Sequence, residues 1–306
     1  MKKNRLGTSE LYVSELSLGC MSLGTDEHKA KEIIHRALDA GINYLDTADL
    51  YDYGINEEIV GKAVQGKRDQ VIIGTKVGNR FEPGKEGWYW DPSKTYIQKE
   101  VKESLRRLNL DYIDLYQLHG GTIEDHIDET IEAFEELKEE GIIRYYGISS
   151  IRPNVIREYV KRSNIVSVMM QYSLLDRRPE EEILDLLHTN QISVLARGPL
   201  AKGMLTDHGL ESIDRKGKDG YLDYSYQELK EIAAQFLNMR NEHQNGASLA
   251  LQYVLYHPAV ATAVFGASSM KQLEDILKFV DSPPLGEDRY QQLKNLSRPI
   301  QYQHHR

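Results

Sequence analysis

Three apolar runs of the sequence each end on an ionisable side chain. Asp46 follows INYL, Lys76 follows VIIGT, and His119 follows IDLYQL. A carboxylate at the end of a buried strand is costly without a partner, so Asp46 needs a cationic or hydrogen-bonding group, for which Lys76 is the candidate. The carboxyl ends of parallel strands meet at one edge of a sheet. We therefore expect these side chains to converge there with Tyr51 from the adjoining loop.

This set of groups is suited to the transfer of a hydride to a carbonyl group. Negative charge develops on the carbonyl oxygen, which must be protonated or stabilised as the charge forms. The ammonium of Lys76 favours the phenolate of Tyr51 and so makes that phenol a better acid, while Asp46 keeps the lysine charged. His119 can donate a hydrogen bond that orients the carbonyl. Taken singly, these residues could instead be a surface tyrosine, a structural ion pair and a core histidine.

The same residues carry a resemblance to a known family. The run LDTADLYDYGINEEIVGKAV, followed by GTKVG and DLYQLH, resembles the aldo-keto reductases, in a bacterial type close to the branch of channel β-subunits. The resemblance places the family's catalytic tetrad on Asp46, Tyr51, Lys76 and His119. It extends over nearly the whole chain and implies a carbonyl reductase with Tyr51 as the proton donor.

The elements that must position these residues alternate between strands and helices. We expect strands at Leu16–Gly19, Ile42–Leu45 and Val71–Lys76, each trailed by a helical pattern, and the alternation continues to a strand at Thr262–Phe265. Eight such units predict an α/β fold, a (β/α)8 TIM barrel that forms a single domain over residues 1–306. The resemblance implies that a hairpin at Lys2–Val13 plugs the barrel. A doubly wound sheet is the structural rival, but no GxGxxG pattern follows the first strand.

The resemblance also implies sites for a nicotinamide dinucleotide. Gly19, Cys20 and Met21 match the stretch beside the nicotinamide ribose, whereas Ser149, Ser150 and Gln171 match the ligands of the carboxamide. The pyrophosphate loop corresponds to Arg197, Gly198, Pro199, Leu200, Lys202 and Gly203. The adenosine-phosphate segment corresponds to Gly266, Ser268, Ser269, Lys271 and Gln272, at the start of a helix whose free N–H groups favour anions.

Four departures from the family pattern affect the expected cofactor. Ser150 stands where asparagine is common, and Arg197 stands where an aromatic residue is common. Gly198 lacks a hydroxyl, and Ser268 stands where many relatives have arginine. We expect NADPH, with Lys271 supplying charge to its 2′-phosphate, and NADH remains possible. Cys20 should lie near the cofactor, where a buried, unreactive thiol is favoured over a redox role because the sequence has one cysteine.

Two long loops interrupt the alternation. Asn79–Ser93 carries Trp88 and Trp90, which we expect to form an apolar wall for the substrate. Asp207–Tyr224 is expected to cover the cofactor. Loops of this length without structure of their own are uncommon and often functional.

Composition narrows the remaining possibilities. The 306 residues include 38 Lys and Arg against 47 Asp and Glu, and this net charge of −9 argues against a nucleic-acid partner. No run is apolar and long enough for a membrane span, no signal peptide is evident, and the single cysteine fits the cytoplasm. We expect a small-molecule carbonyl substrate and no metal. The substrate's identity and the oligomeric state stay open, as do two rivals: a nicotinamide-binding regulatory subunit and a Schiff-base aldolase that uses Lys76.

Overall fold

A closed barrel of eight parallel strands forms the centre of the computed structural model, which describes residues 1–82 and 84–306. The barrel strands are β3 (Leu16–Gly19), β4 (Tyr44–Asp46), β5 (Ile72–Val77), β8 (Ile113–Leu118), β9 (Ile143–Ser149), β10 (Ser167–Gln171), β11 (Ser193–Arg197) and β12 (Val260–Gly266). They follow one another around the barrel in chain order, and β12 closes it by pairing with β3. The predicted (β/α)8 barrel is confirmed.

Helices alternate with the strands and cover the outside of the barrel. They are α1 (Glu27–Asp39), α2 (Ile55–Ala63), α3 (Lys94–Leu108), α4 (Ile127–Glu139), α5 (Pro153–Arg162), α6 (Ile183–Thr189), α7 (Gly209–Lys216), α8 (Tyr226–Asn238), α9 (Gly246–Leu255), α10 (Met270–Leu277) and α11 (Glu287–Lys294). Each buries one apolar stripe; on α1, for example, Ile33, Ile34 and Ala37 face the strands. Burial of these stripes is the main term that holds the helices to the sheet.

The N-terminal hairpin closes the amino end of the barrel, as the resemblance implied. Strands β1 (Lys3–Arg5) and β2 (Tyr12–Ser14) pair antiparallel, and the turn between them carries Leu6 and Leu11 into a core shared with inward-facing barrel residues. Gly7 has a positive φ of 54°, and a Cβ there would lie 2.3 Å from the carbonyl oxygen of Val166. The hairpin leaves the carboxyl end of the barrel open for a site.

Both long loops contain regular structure that the sequence reading did not predict. In the first, β6 (Asn79–Arg80) pairs antiparallel with β7 (Tyr89–Trp90), which sets Trp90 opposite Asn79. In the second, α7 forms because Ile213 is buried against the body of the protein. The ends of both loops are therefore held in defined positions over the carboxyl edge.

Candidate active site

The predicted catalytic residues lie together, with Asp46 and Tyr51 in contact with the ammonium of Lys76 and His119 against the ring of Tyr51. Asp46 is the last residue of β4, Lys76 lies one residue before the end of β5, and His119 directly follows β8. The Nζ of Lys76 lies 2.6 Å from Oδ2 of Asp46, 2.7 Å from the carbonyl oxygen of Thr47 and 3.2 Å from the hydroxyl oxygen of Tyr51. All three ammonium hydrogens are thus accounted for within the protein.

The carboxylate of Asp46 is fixed from its other side by two buried groups. The hydroxyl of Tyr44 and the side-chain amide of Gln117 donate to its Oδ1 at 3.2 and 3.3 Å. The ring of Tyr44 needs the space beside Gly74, where a Cβ would lie 2.2 Å from the tyrosine oxygen. Gly74 is therefore required by the position of its neighbour.

Burial and charge act in opposite directions on Lys76. Burial alone would lower its pKa, but the adjacent carboxylate of Asp46 and the oxygen of Tyr51 outweigh that cost and raise the pKa above its ordinary value. The lysine is consequently a permanent cation at any physiological pH. Such a group can stabilise a phenolate, and it is a poor nucleophile.

The imidazole of His119 is neutral at physiological pH. Burial, with smaller contributions from the charges of Lys76 and Arg197, lowers its pKa to about 3. Its ring meets that of Tyr51 edge-on, with centroids 5.8 Å apart. Nδ1 is buried without a hydrogen-bond partner among the described residues, Nε2 is not among the buried unpartnered atoms, and the residue lines the cavity. Nε2 is therefore the nitrogen that can reach a ligand.

A strained turn carries Tyr51 to this position. Asp52 and Tyr53 have φ values of 48° and 53°, and Gly54 follows at 92°. A Cβ at Gly54 would lie 2.6 Å from Cδ of Arg107, so only glycine allows the arginine to pass behind the turn. Left-handed non-glycine residues cost free energy and persist only where surrounding contacts fix them.

A buried ionic network behind the turn supplies such contacts. Glu57, fully buried, accepts a hydrogen bond from the hydroxyl of Thr75 at 2.5 Å and one from Nε of Arg107 at 2.6 Å. Thr75 precedes Lys76 on β5, so this carboxylate connects the lysine strand to the tyrosine turn. Asp49, at the start of the same loop, is buried near Glu57, and burial together with that like charge raises its pKa well above its usual range. The sequence reading missed this network, although the polar pattern after Tyr51 on an otherwise apolar helix was a usable signal.

A cavity of about 1540 Å³ opens at the carboxyl end of the barrel beside these groups. It extends from the tetrad along the ends of β9 to β12 and under α7. Most of the predicted contact residues line it: Gly19, Met21, Asp46, Tyr51, Trp88, Trp90, His119, Ser149, Ser150, Gln171, Arg197, Gly198, Pro199, Leu200, Lys202, Gly203, Gly266, Ser268, Lys271 and Gln272.

Two predicted cofactor residues lie outside the cavity lining. The side chain of Cys20 is buried in the core, where burial raises the pKa of its thiol, and its carbonyl oxygen accepts a hydrogen bond from Asn56 at 2.9 Å. The side chain of Ser269 caps α10 by accepting from the backbone N–H of Gln272 at 3.3 Å. Their side chains are engaged in holding the fold, and a contact of either residue with the cofactor stays a prediction.

The tryptophans of the first long loop form part of the cavity wall. Trp90 packs over two glycines, since a Cβ would lie 2.7 Å from its ring at Gly78 and 3.1 Å at Gly120, and its Nε1 donates to Asp125 at 3.0 Å. Trp88 also lines the cavity, but 55% of its surface is exposed. Trp90 is thus a fixed wall and Trp88 an exposed rim.

The basic side chains of the cavity are unusually free of counter-charges. Among the described residues, no carboxylate forms an ion pair with any of these lining groups: Arg152, Arg197, Lys202, Arg215, Lys216 and Lys271. Three of the lining carboxylates are paired instead, Asp46 with Lys76, Asp207 with Arg240, and Asp275 with Lys278. The cavity is therefore positive inside an acidic protein, which suits an anionic ligand.

The sequence reading did not identify several of these lining residues. Arg215 and Lys216 lie on α7, and Tyr221 follows it; the hydroxyl of Tyr221 accepts a hydrogen bond from the amide of Gln171 at 2.7 Å. Arg197 reaches the same glutamine at 3.3 Å. The adjacent basic residues Arg215 and Lys216 could be read from the sequence, but the helix that directs them toward the cavity could not be predicted.

Comparison with known proteins agrees with this geometry. The model of the Aldo/keto reductase family matches residues 15–298. The chain belongs to the aldo/keto reductase family. It is therefore an oxidoreductase of the class that reduces carbonyl groups with a nicotinamide cofactor, which confirms the predicted family and enzyme class.

Individual relatives of this aldo/keto reductase are bacterial. It is 57% identical over 313 residues, covering 100% of both chains, to "uncharacterized oxidoreductase YqkF" of Bacillus subtilis. It is 36% identical over 226 residues to an NADH-specific methylglyoxal reductase of Escherichia coli, covering 67% of this chain and 69% of that one. Among solved structures, the holo form of aldo-keto reductase AKR11C1 from Bacillus halodurans superposes with a TM-score of 0.94 at 58% identity, covering 100% of this chain and 99% of that one. The apo form of the same protein superposes with a TM-score of 0.85, so this reductase resembles the holo arrangement more closely.

No helix of the described residues has the length and apolarity needed to cross a membrane. The part of the chain that the structure describes also contains no cluster of three or more side chains with metal-ligating groups.

Proposed function

We propose that this protein reduces aldehydes or ketones to alcohols with NADPH as the hydride donor. The observation that carries the proposal is the shared ammonium of Lys76, which contacts both the carboxylate of Asp46 and the hydroxyl of Tyr51 at the wall of a positive cavity. Because the cation is permanent and within 3.2 Å of the phenol oxygen, it can stabilise the phenolate that forms when Tyr51 gives up its proton.

Each residue of the tetrad then has one task. The bound nicotinamide supplies hydride to the carbonyl carbon. Tyr51 donates its proton to the carbonyl oxygen, and Lys76 stabilises the phenolate left behind. Neutral His119 donates a hydrogen bond from Nε2 to the same oxygen and so orients the carbonyl, while Asp46 keeps the lysine in place.

The positive cavity supports a dinucleotide that carries several phosphate charges. Lys271 lines the cavity near Ser268, whose backbone N–H and hydroxyl both donate to the amide oxygen of Gln272, at 2.8 and 3.0 Å. Lys271 is therefore the charged group of this segment that is available to a 2′-phosphate, with Arg215 and Lys216 on the facing α7. Preference for NADPH over NADH rests on these cations, since a neutral hydroxyl at position 268 supplies no charge.

A Schiff-base aldolase is disfavoured by a specific observation. That chemistry requires a neutral amine, yet the pKa of Lys76 is raised and its three hydrogens are engaged by Asp46, Thr47 and Tyr51. Borohydride trapping in the presence of a carbonyl substrate should leave Lys76 unlabelled.

The proposal is tested by separating cofactor binding from turnover. Calorimetry measures the affinity for NADPH and NADH, and a panel of aldehydes and ketones is screened for oxidation of each cofactor. Tyr51→Phe is the matched variant: it keeps the ring, so it should bind NADPH normally while carbonyl reduction falls by about 10²–10⁴, the contribution of a general acid. Tight binding without turnover by the parent protein would instead support the regulatory subunit. Normal turnover by the variant would remove Tyr51 from the mechanism.

A further inference from the structure

Arg152 is a basic residue of the cavity that lies apart from the other five. It directly precedes α5, and its backbone N–H donates to the hydroxyl oxygen of Ser150 at 3.2 Å. Its Nη1 donates to the carbonyl oxygen of Gly121 at 2.6 Å. Gly121 follows His119 by two residues, so this bond fixes the guanidinium on the part of the cavity wall that follows the catalytic histidine in the chain.

The guanidinium has donors to spare. One of its five N–H groups bonds to Gly121, and no carboxylate of residues 1–82 or 84–306 pairs with it. The nearby loop carboxylate of Asp125 is occupied by the backbone N–H and hydroxyl of Thr122, at 2.7 and 2.8 Å, and by Trp90. A half-buried arginine in the cavity wall without a counter-ion is poised for an anionic ligand.

The location of Arg152 separates it from the basic side chains proposed to bind the cofactor. Arg197 ends β11 and Lys202 follows it, Arg215 and Lys216 lie on α7, and Lys271 lies on α10. Arg152 instead contacts Gly121, while the ring of Trp90 covers the adjacent Gly120. A cation and an aromatic wall therefore flank one glycine pair immediately after His119.

We propose that the substrate of this reductase is a carbonyl compound that carries a carboxylate, which Arg152 binds. This inference rests on the proposed carbonyl reduction and adds the class of substrate. The planar guanidinium offers parallel N–H donors that match the two oxygens of a carboxylate. Trp90 packs against the carbon skeleton, and the carbonyl oxygen lies between Tyr51 and His119.

The test compares aldehydes that differ in charge and little in size. The 3- and 4-carboxybenzaldehydes are assayed with NADPH beside their methyl esters, for the parent protein, Arg152→Met and Arg152→Lys. Arg157→Met is the control, because Arg157 lies on α5 and pairs with Glu182 outside the cavity. The parent should favour at least one acid over its ester in kcat/KM. Arg152→Met should lower kcat/KM for that acid by about 10- to 100-fold, mainly through KM, and change the ester by less than about threefold.

The other variants and outcomes also test whether Arg152 binds a substrate carboxylate. Arg152→Lys should recover part of the preference, and Arg157→Met should match the parent. Absence of any preference for either acid in the parent, or an equal loss on acid and ester in Arg152→Met, would refute the assignment. If no aldehyde is reduced at all, the proposed carbonyl reduction fails, and the carboxylate site is then tested by binding alone. Calorimetric titration with the carboxybenzaldehydes should give a lower affinity for Arg152→Met than for the parent. Equal affinity of the two proteins would overturn the carboxylate site.

Discussion

Replacing Lys76 with methionine should destabilise the protein as well as stop turnover. Only 1% of the lysine side chain and 5% of that of Asp46 are exposed, and their atoms lie 2.6 Å apart. Methionine fills much of the lysine volume, so the change removes mainly the charge. It leaves the carboxylate of Asp46 buried, with two long hydrogen bonds from Tyr44 and Gln117 as its remaining support.

Two independent arguments give the expected loss in the free energy of unfolding. Removing one partner of a buried ion pair costs about 3–5 kcal/mol. The stranded carboxylate can also escape by taking up a proton, and for an ordinary carboxyl group at pH 7 this costs about 4 kcal/mol, at about 1.4 kcal/mol per pH unit. We therefore expect a loss of about 3–4 kcal/mol at pH 7. At pH 5 the same protonation costs about 1.5 kcal/mol, so the penalty should shrink as the pH falls.

Urea denaturation at pH 7 and pH 5 measures the free energy of unfolding of the parent and the Lys76→Met variant. The double variant Asp46→Asn, Lys76→Met is the control, because it removes both charges and should recover much of the lost stability at pH 7. A single variant that is as stable as its parent at pH 7, or whose deficit does not shrink at pH 5, would refute a buried, mutually dependent pair. Retained carbonyl reduction in that variant would refute the role of the cation in acid catalysis.

Four further substitutions test other parts of the site. The pKa of His119 is about 3 in the folded state and 6.5 ordinarily, so between these values the unfolded chain binds a proton that the folded protein does not. The free energy of unfolding should therefore fall as the pH drops below about 6.5. His119→Gln should flatten that fall in urea titrations at pH 7 and pH 5. In calorimetry, Lys271→Ala should weaken the binding of NADPH by about 1–3 kcal/mol and leave the binding of NADH nearly unchanged. Ser268→Arg should increase the preference for NADPH over NADH. Equal losses of affinity for both cofactors in Lys271→Ala would show that the 2′-phosphate binds elsewhere. Arg107→Met should strand the buried carboxylate of Glu57, lower the urea midpoint and reduce kcat with little change in NADPH affinity; unchanged stability would show that the network does not hold the Tyr51 turn.

The positions of three tetrad residues and of the barrel strands could be predicted because they follow from strand ends. Asp46, Lys76 and His119 each terminate an apolar run, and parallel strands bring such ends to one edge whatever the loops do. Loop residues lack such a rule. Arg152 and Arg215 reach the cavity through local backbone geometry that leaves no periodic pattern, and Arg152 is fixed by a carbonyl group, which any residue could supply.

Composition gives little sign of burial that distant parts of the chain supply. The segment from Ser282 to Arg306 is largely polar, yet it contains α11 and buries Ile300 and Tyr302. The loop at Asp207–Tyr224 looked irregular for the same reason, since burial of Gly209, Ser212 and Ile213 is enough to dock an eight-residue helix onto a preformed surface. Local sequence indicates helix propensity, whereas contacts with the rest of the protein decide whether such short helices form.

The wall formed by Trp88 and Trp90 has a practical consequence for measurement. These are the two tryptophans of the chain, and both line the same cavity, one fixed against Gly78 and Gly120 and the other on the exposed rim. Selectively excited indole emission therefore originates entirely at the mouth of the cavity. The protein carries its own optical probe there: occupancy of the cavity can be followed in real time without a label, and Trp88→Phe and Trp90→Phe would assign the signal to the rim or the fixed wall.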